Sequence, residues 1–302
     1  MSARPSPLFT GCAAALITPF TKEGIIDSDA LKRLIRRQDD MDALIVLGTT
    51  GEPCSLTMTE RELVIRIAVE ESSLPVIVGT GSNDTRKAIE FAKQAAQLGA
   101  AVQLAVTPYY NKTTQAGLIR HYSAILDTTS LPMILYNVPS RTGMSMTAET
   151  AARLAEHPNV AGLKDASADL ALSADVIAAT DGRLPVYSGN DDLILPLMAM
   201  GAVGAISVAA NVVPMQMRAL TGACLNGCLA QAQSAHNALL PMIRALFLQV
   251  SPIPVKAALS MMGLIEEVLR LPLTPMENPY RAALREILQK HAMIPDEQPA
   301  CR

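Results

Sequence analysis

The chain has 302 residues, of which 50% are hydrophobic and 18% are charged, so it can bury a large core. A formal net charge of −3 and a pI near 5.8 give it no basic surface for nucleic acid. Its five cysteines are odd in number and widely spread, which favours free thiols in the cytoplasm over a disulfide framework.

From end to end, short apolar β-prone runs alternate with longer amphipathic segments. The strand candidates are CAAALIT (12–18), ALIVLG (43–48), PVIVGT (75–80), AVQLAVT (101–107), PMILYN (132–137), VAGLK (160–164), PVYSG (185–189) and VGAISV (203–208). Helical patterns lie between them, among them Ser28–Arg37 and Asn83–Leu98. Thr57 with Glu60 predicts a capping box, and Thr147 marks the start of another helix.

This alternation predicts a (β/α)8 TIM barrel. Near-continuous apolar strands that alternate with helices are typical of parallel strands buried on both faces, and eight such units can close on themselves. An open doubly wound sheet is the main alternative, but the LITPFTKEG segment (16–24) is not the Gly-rich phosphate turn of that fold. After Val208 the pattern is purely helical. We therefore expect a barrel over 1–210 that carries the active site, and a C-terminal helical region over 211–302 packed on it.

Several other classes of protein lack support. No apolar run reaches the ~18 residues of a membrane-spanning helix. The four histidines are scattered, with no HExxH or paired Cys/His spacing for a metal. GTGSND (79–84) lacks the third glycine of a dinucleotide loop and the Gly-Lys-Ser/Thr of a P-loop. We expect no metal, no cofactor and no membrane or nucleic-acid partner.

Unusual residues gather where the predicted strands end, which is where the catalytic residues of a barrel lie. The segments at these ends are GTTGE (48–52), TPYYNK (107–112), YNVPSRTG (136–143), SGNDD (188–192) and AISVAAN (205–211). Four of the six tyrosines lie at or beside them: Tyr109, Tyr110, Tyr136 and Tyr187. Any one phenol could be bonded to the backbone, but the set favours a chemical function because packing has no preference for one rim.

Lys164 ends the predicted strand VAGLK. By itself such a lysine is more often the first residue of a solvated loop, since lysine is rarely buried. In a barrel it would project into a mouth lined by hydroxyls, where desolvation lowers the amine's pKa and leaves a neutral, nucleophilic fraction. This position suits Schiff-base formation with a carbonyl substrate.

Taken together, the motifs resemble the dihydrodipicolinate synthase family over essentially the whole chain. They are GTTGE, TPYYNK, YNVPSRTG, GLKDAS, SGNDD and NPYRAAL, together with SPIPVKAAL and LRLPLTP. The wider superfamily of pyruvate-dependent class I aldolases, which includes N-acetylneuraminate lyases, shares the GTTGE-type turn and the lysine. The double tyrosine and the arginine of YNVPSRTG are more specific to the synthase branch.

The resemblance implies a lyase that condenses pyruvate with L-aspartate 4-semialdehyde in lysine (diaminopimelate) biosynthesis. It also implies a cytoplasmic homotetramer, a dimer of dimers, without a cofactor. Lys164 would form the imine with pyruvate, and Tyr136 would be the adjacent acid and base. Thr49 would relay protons, and Tyr110 would be an outer tyrosine that crosses from a neighbouring subunit.

The same resemblance assigns the groups that hold the substrates. Thr50 and the turn backbone would bind the pyruvate carboxylate, and Gly189 and Ile206 would face the pyruvate-derived part. Arg141 would grip the semialdehyde carboxylate as a bidentate fork. Many family members carry a glycine where this chain has Ala168, so we expect a slightly different loop there.

Two alternatives come from other classes of protein. A sibling lyase or decarboxylase acting on a sugar acid or related 2-keto acid would lack the arginine, which this chain keeps. A non-catalytic binding barrel would have lost the hydroxyls and the lysine, which are all present. Fold and motif by themselves do not fix the substrate.

The resemblance also bears on regulation by lysine, the end product. In feedback-inhibited members it binds at a subunit interface, where a serine, two histidines and a glutamate meet it. The matching positions here are Pro53, Met58, Arg61 and Lys87, while Asn83 and Tyr109 are kept. We therefore expect weak inhibition or none.

Overall fold

The computed structural model describes residues 7–295, and within that range eight parallel strands close into a barrel in chain order. They are β1 Gly11–Ala15, β2 Ala43–Val46, β3 Val76–Gly79, β4 Val102–Val106, β5 Met133–Asn137, β6 Val160–Asp165, β7 Val186–Ser188 and β8 Gly204–Ser207. The predicted (β/α)8 fold is confirmed. β1 ends at Ala15, earlier than expected, because the Ile17 N–H donates to the Asn211 side chain at 3.2 Å rather than to a neighbouring strand.

The barrel closes between β1 and β8, where Gly11 is aligned with Gly204. A Cβ atom on Gly204 would lie 2.2 Å from the carbonyl oxygen of Gly11. A glycine is therefore required for the two backbones to approach this closely.

Two apolar layers hold the fold together. Along β2, Ile45 belongs to a cluster that fills the barrel, while Leu44 and Val46 belong to a cluster between the strands and the helices. This follows from the alternation of side chains along a strand. The filled interior makes the barrel a core rather than a pore.

Helices follow the strands on the outside of the barrel. They are α1 Ser28–Arg36, α2 Met58–Glu71, α3 Thr85–Gln97, α4 Gln115–Leu126, α5 Pro139–Thr142, α6 Ala148–Leu154, α7 Leu170–Ala179 and α8 Ile194–Ala199. The predicted capping box is present, since the Thr57 and Glu60 side chains each accept from the other residue's backbone N–H. Thr147 caps α6 as predicted. Helix α3 begins two residues later than its predicted segment because Asp84 caps it.

A helical region follows β8. It contains α9 Pro214–Leu225, α10 Leu229–Ala245, α11 Ile253–Met261 and α12 Asn278–Lys290. Helix α9 contacts β1 and α10, and α12 contacts both α10 and α11. The division of the chain at residue 210 stays a prediction. Between residues 7 and 295, no helix combines the length and the apolar character that crossing a membrane requires.

Candidate active site

The amine of Lys164 lies near the carboxyl end of β6, beside Tyr136 on β5. The two residues are register partners, and the lysine Nζ is 4.4 Å from the centroid of the tyrosine ring. Lys164 is 6% exposed and Tyr136 is 7% exposed. Burial this deep argues against a lysine in a solvated loop. The amine lies beside the Tyr136 ring instead.

Gly189 follows β7 and leaves room for the Lys164 side chain. A Cβ atom at this position would lie 3.0 Å from the lysine Cε and 2.8 Å from the Cβ of Ala166. Ile206 on β8 is fully buried in the same inner cluster as Tyr136. Gly189 thus lies against the Lys164 side chain, and Ile206 lies in the apolar cluster inside the barrel.

Asp191 is a buried carboxylate to which the sequence assigned no role. Its Oδ2 accepts from the backbone N–H groups of Val208, at 3.1 Å, and Ala209, at 2.8 Å. Burial raises the pKa of Asp191 to about 6, while the Ala209 amide and the charge of Lys164 act in the opposite direction. Near neutral pH it is therefore a negative charge close to the Lys164 amine. The acidic pair in SGNDD, at a strand end, was the signal that could have found it.

The GTTGE segment forms a tight 3-10 turn, Thr49–Gly51, directly after β2. The Thr18 hydroxyl donates to the carbonyl oxygen of Gly51 at 2.7 Å, which fixes the turn to the segment that follows β1. Thr50 is buried and Thr49 is half-buried. Backbone N–H groups in such turns form concave anion sites, so the turn has the chemistry expected of a carboxylate site.

A cavity of about 590 Å³ opens beside this turn. Thr49, Tyr136 and Arg141 line it, and its volume lies in the range of small-ligand sites. The other predicted site residues lie outside its lining: Lys164, Thr50, Tyr110, Gly189 and Ile206. Tyr136 connects the two groups, because its ring both faces the cavity and contacts the Lys164 amine.

Arg141 lies in α5, the short helix that follows β5, and its side chain is exposed. Its Nη2 donates to the carbonyl oxygen of Ser251 at 2.9 Å. This contact with the C-terminal helical region was not foreseen from the sequence. It orients the guanidinium at the cavity and leaves other N–H groups for a ligand.

Tyr110 lies outside the cavity lining. Its side chain is 91% exposed, and its backbone φ of 66° is in the left-handed region. Across the described part of the chain, no hydrogen bond joins the hydroxyls of Tyr136, Thr49 and Tyr110. The expected relay is thus not closed within one copy of the chain.

Tyr187 does not belong with the tyrosines that the sequence predicted at the strand ends of the site. Its hydroxyl donates to the carbonyl oxygen of Phe9 at 2.9 Å, and the two rings stack with centroids 4.4 Å apart. Phe9 precedes β1, so this phenol is bonded near the amino end of the barrel. Burial raises the pKa of Tyr187, as expected for a phenol in the core. Its position close to a strand end in sequence was misleading because its side chain does not face the site.

The fold and the site define the chain as a (β/α)8 barrel with a buried lysine on the sixth strand. The chain belongs to the dihydrodipicolinate synthetase family, whose model matches residues 8–291. It is 47% identical over 291 residues to the 4-hydroxy-tetrahydrodipicolinate synthase of Alkaliphilus oremlandii, covering 95% of this chain and 100% of that protein.

Two solved structures are similar throughout. The dihydrodipicolinate synthase from Thermotoga maritima is 42% identical with a TM-score of 0.93, covering 95% of this chain and 100% of that one. The chloride-inhibited dihydrodipicolinate synthase from Acinetobacter baumannii, complexed with pyruvate, is 42% identical with a TM-score of 0.92. That match covers 94% of this chain and 99% of the other.

Proposed function

We propose that this protein condenses pyruvate with L-aspartate 4-semialdehyde to form 4-hydroxy-tetrahydrodipicolinate, in the diaminopimelate route to lysine. The observation that carries the proposal is the buried Lys164 amine, held 4.4 Å from the Tyr136 ring in a chain of this family. A desolvated amine beside a proton-transfer group is the arrangement that imine formation with a keto acid needs.

The reaction starts when the neutral amine of Lys164 attacks the keto carbon of pyruvate and water leaves, giving an imine. The protonated imine draws electrons, so a methyl proton can leave to give an enamine. The enamine carbon forms a bond to the aldehyde carbon of the semialdehyde, whose oxygen takes up a proton. The amino group of that substrate then attacks the imine carbon, and Lys164 departs as the ring closes.

Tyr136 would move protons in these steps, since its ring lies beside the Lys164 amine. A phenol by itself is a poor base at neutral pH, so proton transfer through it needs hydrogen-bonded partners. Thr49 faces the same cavity and is the relay member that we propose. The Tyr110 hydroxyl of a neighbouring chain would complete the relay.

The two carboxylates would be held by separate groups. Thr50 and the Thr49–Gly51 turn would receive the pyruvate carboxylate, with Gly189 and Ile206 against the pyruvate-derived carbon chain. Arg141 would receive the semialdehyde carboxylate through its planar fork, which matches a carboxylate better than a lysine would.

By resemblance to the family, we propose a homotetramer arranged as a dimer of dimers, in which the 91% exposed Tyr110 contacts a neighbouring chain. A cytoplasmic location fits the free thiols of Cys12, Cys54, Cys224 and Cys228, since disulfides are rare in reducing compartments.

Trapping the imine tests the function. Incubation with pyruvate and borohydride should add a reduced pyruvyl group to one lysine, and peptide mapping should locate it on Lys164. Lys164→Arg is the control and should take up no label. A missing adduct, or an adduct on Lys256, would contradict the proposed mechanism. Comparing aspartate semialdehyde with sugar-acid aldehydes after pyruvate loading then separates the synthase from sibling lyases.

A further inference from the structure

Lys256 is a fully buried cation that the proposed chemistry does not use. It lies in α11 with 0% of its surface exposed, and its amine forms an ion pair with the Glu52 carboxylate. The amine also donates to the carbonyl oxygen of Val268 at 2.9 Å and lies 4.1 Å from the centroid of the Phe20 ring. The pair joins the C-terminal helical region to the residue that ends the GTTGE turn.

We propose that the Glu52–Lys256 ion pair holds the Thr49–Gly51 turn in the shape that receives the pyruvate carboxylate. Glu52 and Lys256 are then positioning residues, which act through the turn without touching the substrate. The inference rests on the proposed function, because it takes this turn as the carboxylate site.

The backbone of Glu52 shows why an anchor is needed. Its φ of 54° and ψ of 41° lie in the left-handed region, which is unfavourable for a residue with a Cβ atom. Its N–H closes the turn on the carbonyl oxygen of Thr49 at 3.2 Å. A strained conformation of this kind persists where the surroundings determine it. The ion pair and a bond from the Arg270 backbone N–H to Glu52 Oε2, at 3.3 Å, supply that constraint.

Stability by itself is a weak explanation for such a pair. Removing two charges from water is costly, and apolar residues of similar volume often stabilise a core as well or better. Burial lowers the pKa of Lys256 to about 8, which shows the cost on the lysine side. What an ion pair supplies and an apolar contact lacks is a fixed direction between two defined atoms.

The same stretch of chain also contacts Arg141, the residue that we propose binds the semialdehyde carboxylate. Ser251 lies five residues before Lys256, and its carbonyl oxygen accepts from Arg141 at 2.9 Å. The SPIPVK segment (251–256) therefore contacts the substrate-binding arginine at one end and the anchor of the turn at the other. This position gives the SPIPVK segment a supporting role for both carboxylate-binding groups, although the segment takes no part in the reaction steps.

The test compares Glu52→Gln/Lys256→Met with Glu52→Asp. The double variant removes both charges, so no uncompensated charge stays buried. Glu52→Asp keeps the charge but shortens the side chain by one methylene group, which pulls the turn towards the lysine. We expect each to raise the KM for pyruvate at least tenfold and to slow borohydride-trapped adduct formation on Lys164, with a smaller fall in kcat.

Leu288→Ala is the matched control for destabilisation. Leu288 is fully buried in α12, so its truncation should lower the melting temperature and leave the pyruvate KM unchanged. A wild-type pyruvate KM in either folded Glu52 variant would overturn the inference, as would a raised KM in Leu288→Ala. Failure of the wild-type protein itself to form the adduct would instead overturn the proposed function.

Discussion

At the scale of the residue, the chemistry depends on how one phenol is placed against one amine. Tyr136 and Lys164 are neighbours because they are register partners on adjacent parallel strands, and their burial keeps water from the amine. The sequence predicted both positions, since the carboxyl ends of barrel strands converge.

Replacing Tyr136 by Phe tests the acid–base role. The substitution keeps the ring against the amine and removes the hydroxyl, so we expect turnover to fall on the order of 10²–10⁴-fold. Steady-state kinetics measures the effect. Tyr122→Phe is the control, because Tyr122 is fully buried and its hydroxyl donates to the carbonyl oxygen of Ala105, outside the cavity lining. It should lower stability and leave turnover close to wild type; equal losses in the two variants would contradict the assignment.

The contacts of some residues could not be predicted from the sequence. The Glu52–Lys256 pair joins segments far apart in the chain, and no periodic pattern reports which buried charges will meet. The sequence marked Ala168 as a position where many family members have glycine. Its backbone φ of 60° is in the left-handed region, which explains why a glycine suits this position. Tyr187 was misread because a strand-end position does not specify the direction of a side chain.

At the scale of the element, the strands were predicted well because buried parallel strands are short, continuous and apolar. Helix starts were predicted where a capping side chain marks them, as at Thr57 and Thr147. The predicted end of β1 and the predicted start of α3 were less accurate. Hydrogen bonds to the side chains of Asn211 and Asp84 set these two boundaries.

Glu60 at the start of α2 gives a test that depends on pH. Its carboxylate forms an ion pair with Arg270, which lowers the pKa of Glu60 to about 2. A lowered carboxyl pKa stabilises the fold above the unfolded value, near pH 4.5, and this contribution is lost as the pH falls towards 2. Glu60→Gln keeps a residue suited to the capping box. We expect it to cost about 1–2 kcal/mol at pH 7, a figure reduced for the partial exposure of the pair.

Urea unfolding at pH 7 and at pH 3 measures the difference, which should shrink at the lower pH. Glu62→Gln is the matched control, since Glu62 pairs with Arg66 on the exposed face of the same helix. Exposed pairs contribute little, so its effect should be small at both pH values. A Glu60→Gln effect that stays constant with pH would show that the charge is not responsible.

At the scale of the whole molecule, two large side chains are strongly exposed. Tyr110 is 91% exposed and Leu271 is 81% exposed. If Tyr110 works in a neighbouring chain, then mixing Tyr110→Phe chains with Lys164→Ala chains should restore some complete sites. The assay measures turnover of refolded mixtures against each parent alone. No recovery in oligomers that contain both chains would argue against a shared site.

Inhibition by free lysine also depends on the whole molecule. Most of the positions matched to the family's lysine-inhibitor site lie along one wall of the cavity. That wall includes Pro53, Arg61, Asn83, Lys87 and Tyr109, whereas Met58 lies outside the lining. Arg61 is 3% exposed, and burial lowers its pKa to about 10, so it stays cationic at neutral pH. Within the lining that the structure describes, Glu52 is the acidic residue, and its carboxylate is buried in the ion pair with Lys256.

An ammonium group of free lysine would therefore meet cations instead of a free carboxylate. Two like charges about 4 Å apart repel by roughly 4 kcal/mol at an effective dielectric near 20, before screening. If Lys87 turns into solvent, the wall still lacks a carboxylate for the ammonium group, so binding stays weak. We expect turnover to be little changed by millimolar lysine, and Lys87→Glu to be more sensitive than wild type because it supplies the missing anion. Half-inhibition of the wild-type enzyme at sub-millimolar lysine would show that these positions were matched wrongly.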